Sequence, residues 1–222
     1  MLYQISKYWS YKSIQYAVIS VLAIIIIAAT CLGAYAGTVL WIKKIGITVK
    51  PSKAYQPAMI QYYLQNDPRW RSDSLGTSDS SMGRSGCLVT SIAASIDYLG
   101  VKIDPKELNK VFTEKNVYTA GGEVIWYKIK EVVPGIDYYY QRIFGRRTLE
   151  NDLKQGRLPI VQVRYNGKGI FHWVLIVGAD EEDFLIMDPL RQDKQLIKLS
   201  THGKVYAYRV MVKTSSNEAD EE

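Results

Sequence analysis

LPIVQVRYNGKGIFHWVLIVGADEEDFLIMDP, residues 158–189, changes the period of the chain. It divides into three short runs, LPIVQVRY, GIFHWVLIVGA and DFLIMDP, rich in β-branched and aromatic residues and separated by turn residues, which is the pattern of strands. QLIKLS and VYAYRVMV continue it downstream. Together the runs predict one antiparallel sheet. Upstream the period is helical. In CLVTSIAASIDYL, Leu88, Val89, Ile92, Ala93, Ile96 and Leu99 recur at helical spacing, and Gly100 stands where a left-handed C-cap belongs. DPKELNKVF offers Asp104 as N-cap, Pro105 at the first helical position and Glu107 three residues after the cap. GGEVIWYKIKEVV (Gly121 to Val133) and TLENDLKQG (Thr148 to Gly156) read as two further helices, the second with a Thr cap and a Gly stop. Helices first and strands afterwards predict an α+β domain, a helical layer packed on an antiparallel sheet.

Ahead of this domain, Ala17 to Trp41 is uncharged throughout, long enough to cross a bilayer core as one helix. A cleaved signal peptide is the competing reading, since Lys7 and Lys12 precede the run and AYAG holds small residues at Ala34 and Ala36. A retained anchor is favoured because signal-peptide apolar regions run only about 7–15 residues. The division expected is a flank over 1–15, a transmembrane segment over 16–41, a linker over 42–60, a folded domain over 61–213 and a disordered acidic tail over 214–222. A lone N-terminal anchor puts the domain outside the cytoplasm, with secretion after signal cleavage as the alternative. Lysines flank both ends of the apolar run, so the positive-inside rule does not choose.

The 222 residues carry a formal charge of +6. From residue 43 onward, without the acidic tail, 26 basic residues face 18 acidic ones. Such a body is drawn to anionic surfaces, lipid headgroups or an anionic wall polymer among them. RIFGRR (Arg142 to Arg147) adds to that face, but no nucleic-acid module accompanies it and no nucleic-acid partner is expected. One cysteine in the apolar run, one in the domain and two histidines are too few for a closed structural zinc site or a disulfide scaffold. Neither metal nor organic cofactor is expected.

Cys87 opens a helix after Gly83 and Gly86, where backbone N–H groups and the helix dipole favour a thiolate and can bind an oxyanion. The glycines would leave room for a substrate carbonyl. Against this stands the use of cysteine as a small core residue. His172 interrupts an apolar strand on the face opposite Phe171, Trp173, Leu175 and Val177, and needs a polar partner whether it is catalytic or a hydrogen-bonded core residue. Asp188 ends the next run beside Pro189. Adjacent antiparallel strands can bring its carboxylate to His172 to fix the tautomer of a general base; a turn-forming Asp-Pro is the plainer use. Gln65, in LQNDPRW, could give an amide donor to an oxyanion hole. His202, in STHGK, reads as a turn residue with a poorer setting than strand-borne His172. Ser85 lacks the G-x-S-x-G pattern of a nucleophile elbow, and Trp126 and Tyr127 read as core or cleft lining.

Gln, then Cys at a helix start, then His and Asp on neighbouring strands is the order of papain-like cysteine hydrolases. From about Gln61 to Val212 the chain resembles the bacteriocin-processing type of papain-like cysteine peptidases and their stand-alone relatives, in QNDPRW, SGCLVTSIAASIDYLG, IDPKEL, LKQGRLPIVQV, FHWVLIVG and IMDP. The resemblance implies a papain-like fold, Cys87 as nucleophile, His172 as general base and acid, Asp188 as its orienting carboxylate, Gln65 as oxyanion-hole donor, and a peptide or protein substrate. Members fused to exporters cut double-glycine leaders; with one apolar segment and no Walker A loop here, transporter-coupled cleavage is not implied. The stretch between Gln65 and Cys87 is long for the family. The expectation is a membrane-anchored bacterial cysteine peptidase. The alternatives are an amidase or acyltransferase on the same triad, or a tethered binding module with a basic surface.

Overall fold

The computed structural model describes residues 2–214, with side chains from residue 15 onward. The acidic tail lies outside the described residues. The chain divides into two units, 1–44 and 45–222. The first is a single helix, α1 (Leu2–Ile45), in which Gln15–Ile45 holds an 18-residue window of mean hydropathy 2.7 and is long and apolar enough to cross a membrane.

The second unit carries helices α2 (Met82–Ser85), α3 (Cys87–Tyr98), α4 (Pro105–Glu114), α5 (Ile129–Val132) and α6 (Arg146–Lys154). Its strands are β1 (Ile136–Tyr139), β2 (Pro159–Arg164), β3 (Phe171–Ala179), β4 (Phe184–Met187), β5 (Ile197–Lys198) and β6 (Val205–Lys213). They form one sheet in the order β1-β6-β2-β3-β4-β5, antiparallel at every pairing. The runs LPIVQVRY, GIFHWVLIVGA and DFLIMDP thus hold β2, β3 and β4, neighbours in chain and in sheet.

Helix α3 is buried on nearly every side. Its Val89, Ile92, Ala93, Ala94 and Ile96 join Leu175 and Val177 of β3 and Leu108 and Phe112 of α4 in the main core. Alanines at 93 and 94 let the neighbouring elements approach closely. Leu88, read from its spacing as a core residue, is partly buried against that core and also lines a cleft. Helix α4 starts as expected: Asp104 accepts from the Glu107 N–H at 2.9 Å, and the Glu107 carboxylate accepts from the Asp104 N–H.

The structure differs from the sequence reading in four places. Gly121 to Val133 is helical only from Trp126, as a 3₁₀ turn followed by α5. Gly122 has a φ of 83° and ends a turn closed by its N–H to Thr119, which a helix cannot continue. Helix α6 begins at Arg146 after Gly145, not at a Thr148 cap. An edge strand, β1, stands among the helices and pairs with β6. The segment expected as a linker is laid on the domain: Ile47 bridges Val205, Tyr55 bridges Ala179, and the Ala58 N–H reaches the Val177 carbonyl at 2.8 Å. Gly178 permits this contact, since a Cβ there would stand 2.8 Å from the Tyr55 carbonyl oxygen.

Candidate active site

Four loops and element ends converge where the open ends of α3 and β3 meet. Cys87 is the first residue of α3, behind the short turn α2. The glycines before it answer to packing of the backbone on itself. A Cβ on Gly83 would lie 2.8 Å from the Arg71 carbonyl oxygen, and one on Gly86 2.4 Å from that of Met82. Gly83 also lines the cleft.

His172 sits one residue into β3, buried, on the face opposite Trp173, Leu175 and Val177. Its Nε2 meets Asp188 Oδ1 at 2.6 Å. With that N–H donated to the carboxylate, Nδ1 is left for Cys87, whose hydrogen bond and charge both act on the ring. Burial lowers the affinity of this imidazole for a proton. The hydrogen bonds with Asp188 and Cys87, and the charges behind them, outweigh burial and raise His172 to about 9.

Asp188 follows β4 directly and is buried. Burial would raise its carboxyl, but hydrogen bonds from His172 and His202 hold it well below the usual carboxylate range. Its position is fixed from several sides. The Leu190 N–H donates to Oδ1 at 2.9 Å. The Tyr62 hydroxyl donates to the Asp188 carbonyl at 2.8 Å and accepts from its N–H at 3.1 Å. Burial pushes the Tyr62 phenol up, so it stays a donor.

Gln65 is only 3 % exposed and ties the site together. Its N–H donates to the Pro189 carbonyl and its Nε2 to the Gly83 carbonyl, each at 2.8 Å, joining the loop after Asp188 to the turn before Cys87. Trp70 Nε1 fixes the same loop by donating to the Leu64 carbonyl at 2.9 Å. The side-chain amide has a second N–H beyond the one given to Gly83.

The sequence reading left two residues out. His202, expected in a turn without further role, is buried with Nε2 at 3.2 Å from Asp188 Oδ2. Tyr62 was not singled out. His202 falls in a 3₁₀ turn, Leu199–His202, and Tyr62 in a segment outside helix and strand, so neither carries a periodic signal.

His172, Asp188 and His202 each present a ligand atom within 4.8 Å of the others, a spacing a metal ion can use. The hydrogen bonds argue otherwise. The Asn166 N–H donates to His202 Nδ1 at 3.0 Å, which places the ring proton on Nε2, the atom that would have to offer a lone pair.

A cleft of about 450 Å³ opens over Cys87 and His172. Gln65, Leu88, Val124, Trp126 and Trp173 line it, and Gly121 and Gly122 form part of its rim. Trp126 and Trp173 lie 6.1 Å apart, centroid to centroid. Such a wall suits a chain segment with apolar side chains.

Residues 58–215 match the model of the Peptidase_C39 like family. The chain belongs to that family. No curated protein matches it. The fold is that of a crystal structure from Bacillus anthracis assigned to the C39-like peptidases, with a TM-score of 0.51 at 15 % identity, covering 73 % of this chain and 99 % of that one. The Peptidase_C39 like match begins at the strap that crosses Gly178 and includes Gln65, Cys87, His172 and Asp188. Family and fold are those of a cysteine peptidase.

Proposed function

We propose that this protein is a membrane-anchored peptidase that cuts peptide bonds through an acyl-enzyme on Cys87. The observation that carries the reading is the alignment of His172, with one ring nitrogen 2.6 Å from the Asp188 carboxylate and the other left to the Cys87 sulfur. In the resting pair the proton rests on His172 and the sulfur is the nucleophile. Attack on the scissile carbonyl forms the S–C bond and moves the π electrons onto oxygen. In this reading the second Gln65 N–H and the backbone N–H groups of the first turn of α3 stabilise that charge. As the tetrahedral species collapses, the imidazolium gives its proton to the leaving amine and the C–N bond breaks. Water then attacks the thioester, His172 takes its proton, and the C–S bond breaks to release the acid and restore the pair. Asp188 keeps the ring in one orientation and tautomer throughout.

The apolar stretch Gln15–Ile45 supports an anchor, with the peptidase domain on the extracytoplasmic side. The basic domain would then lie near anionic headgroups or wall polymer.

Full-length protein in detergent, assayed on a library of internally quenched peptides, tests the activity. Cleavage by the wild type that disappears in Cys87→Ala and His172→Ala supports the reading. Equal cleavage by Cys87→Ala, or none by the wild type, overturns it. A topology reporter fused to the C-terminus reads the side of the membrane; a cytoplasmic signal would reverse the placement.

A further inference from the structure

The proposed triad accounts for one oxygen of Asp188. Oδ1 receives His172 Nε2 and the Leu190 N–H. Oδ2 is met by a different group, His202 Nε2 at 3.2 Å. All three side chains are buried, His202 to 1 % exposure.

His202 is itself held in a fixed role. Its Nδ1 accepts the backbone N–H of Asn166 at 3.0 Å, so in the neutral ring the proton is on Nε2 and points at the carboxylate. Asn166 has a φ of 50°, the left-handed conformation that asparagine tolerates, within the turn between β2 and β3. Tyr165 of the same turn sets its ring edge-on to His172 at 5.6 Å and tilted against His202 at 5.5 Å. The turn therefore grips both imidazoles, and the two rings sit 5.8 Å apart on either side of one carboxylate. A carboxylate held on only one oxygen can rotate about its χ2 angle, which is soft. A donor on each oxygen removes that freedom.

We propose that His202 is a positioning residue, which holds Asp188 from behind so that its Oδ1 faces His172. The proposal rests on the reading of Cys87, His172 and Asp188 as a catalytic triad, and extends it to a His–Asp–His array. His202 touches neither the nucleophile nor the cleft: it does not line the cavity over Cys87, and instead borders a separate depression of about 380 Å³ with Tyr165, Asn166, Asp188, Arg191 and Thr201. That depression gives a small molecule a path to the space His202 occupies.

The test reads Cys87 directly and needs no peptide substrate. The rate at which iodoacetamide alkylates the Cys87 peptide, followed by mass spectrometry in full-length protein, is compared for wild type, His202→Ala, His202→Gln and His172→Ala. A displaced orienting group costs roughly a hundredfold when geometry slips by about 1 Å. His202→Ala is expected to slow alkylation near neutral pH by at least about tenfold. His202→Gln, which keeps an amide donor toward Oδ2, is expected to stay within about threefold of wild type. Free imidazole, entering through the depression, restores much of the His202→Ala rate and none of the His172→Ala rate. Wild-type reactivity in His202→Ala overturns the proposal. So does an equal loss in the Ala and Gln variants without rescue, which would mark His202 as packing alone. In parallel, the nitrogen-15 spectrum of histidine-labelled protein, in which His172 and His202 are the two histidines, must show the neutral His202 ring protonated on Nε2. A proton on Nδ1 contradicts the array. An absence of peptide cleavage would sink the peptidase reading and leave these readouts intact.

Discussion

Two of the buried aspartates in this domain are each met by two rings, and they serve opposite ends. Asp188, after β4, receives His172 and His202. Asp152, on α6, receives the hydroxyls of Tyr139 from β1 and Tyr208 from β6. The geometries are alike and the chemistry is not. Asp152 also holds the Arg157 guanidinium, whose Nε and Nη2 donate to Oδ1 at 3.0 and 2.8 Å. Its ring partners are phenols, raised by burial and then by the hydrogen bond to Asp152, so neither yields a proton near neutral pH. The cluster joins α6 to the β1–β6 edge, with Phe144 stacked on Tyr208 at 5.6 Å, as a fixed clamp. Around Asp188 the partners are imidazoles, and one of them, His172, raised to about 9, faces a cysteine at a cleft. The two buried carboxylates thus differ in the ring they hold, a phenol that keeps its proton at Asp152 and an imidazole at Asp188.

Substitutions at the two centres can break that contrast. Asp188→Asn keeps the shape but removes the charge behind His172; peptide cleavage should fall by about 10⁴ while the domain stays folded, as read by circular dichroism. A loss of less than tenfold would show that Asp188 is another clamp. Asp152→Ala strands a guanidinium and two phenols, and should lower stability to denaturant by about 3 kcal/mol, with the folded fraction still cleaving at the wild-type rate. A specific loss of turnover there would erase the distinction. The smallest effect belongs to Tyr208→Phe, which removes one hydrogen bond to Asp152 and should cost about 1 kcal/mol with no change in turnover.

The same contrast explains what could be read from sequence. Cys87, His172 and Asp188 stand at a helix start, in an apolar strand and at a strand end, each conspicuous against a periodic background. The array behind them is written in residues without such a background. His202 lies in a four-residue turn, Tyr62 in a segment outside helix and strand, and the N–H that orients His202 comes from a backbone position where the side chain of Asn166 tells only of a turn. Asp152 is hidden in the same way: within TLENDLKQG it looks like a solvated helix residue, and only the register of β1 and β6 brings two phenols to it. The edge strand β1 was missed because IDYY is short and sits among helices. Gly121–Gly122 defeated the helical reading of the segment after them because the first five residues form a turn bordering the cleft.

In the proposed mechanism His172 is held as an imidazolium by Asp188 on one side and Cys87 on the other. The sign follows from the raised value. Relative to an unfolded histidine near 6.5, the stability that the protonated His172 gains beside Asp188 is fully present below that pH and is lost as pH rises through about 9. The alkaline limb of cleavage should fall at the same point, because the proton due to the leaving amine is then gone. The most direct measurement is the nitrogen-15 titration of His172 in the wild type and in Asp188→Asn. A midpoint of about 9 is expected in the wild type, moving down toward the ordinary histidine value in the variant. A wild-type midpoint at or below 6.5, unchanged by Asp188→Asn, would contradict it.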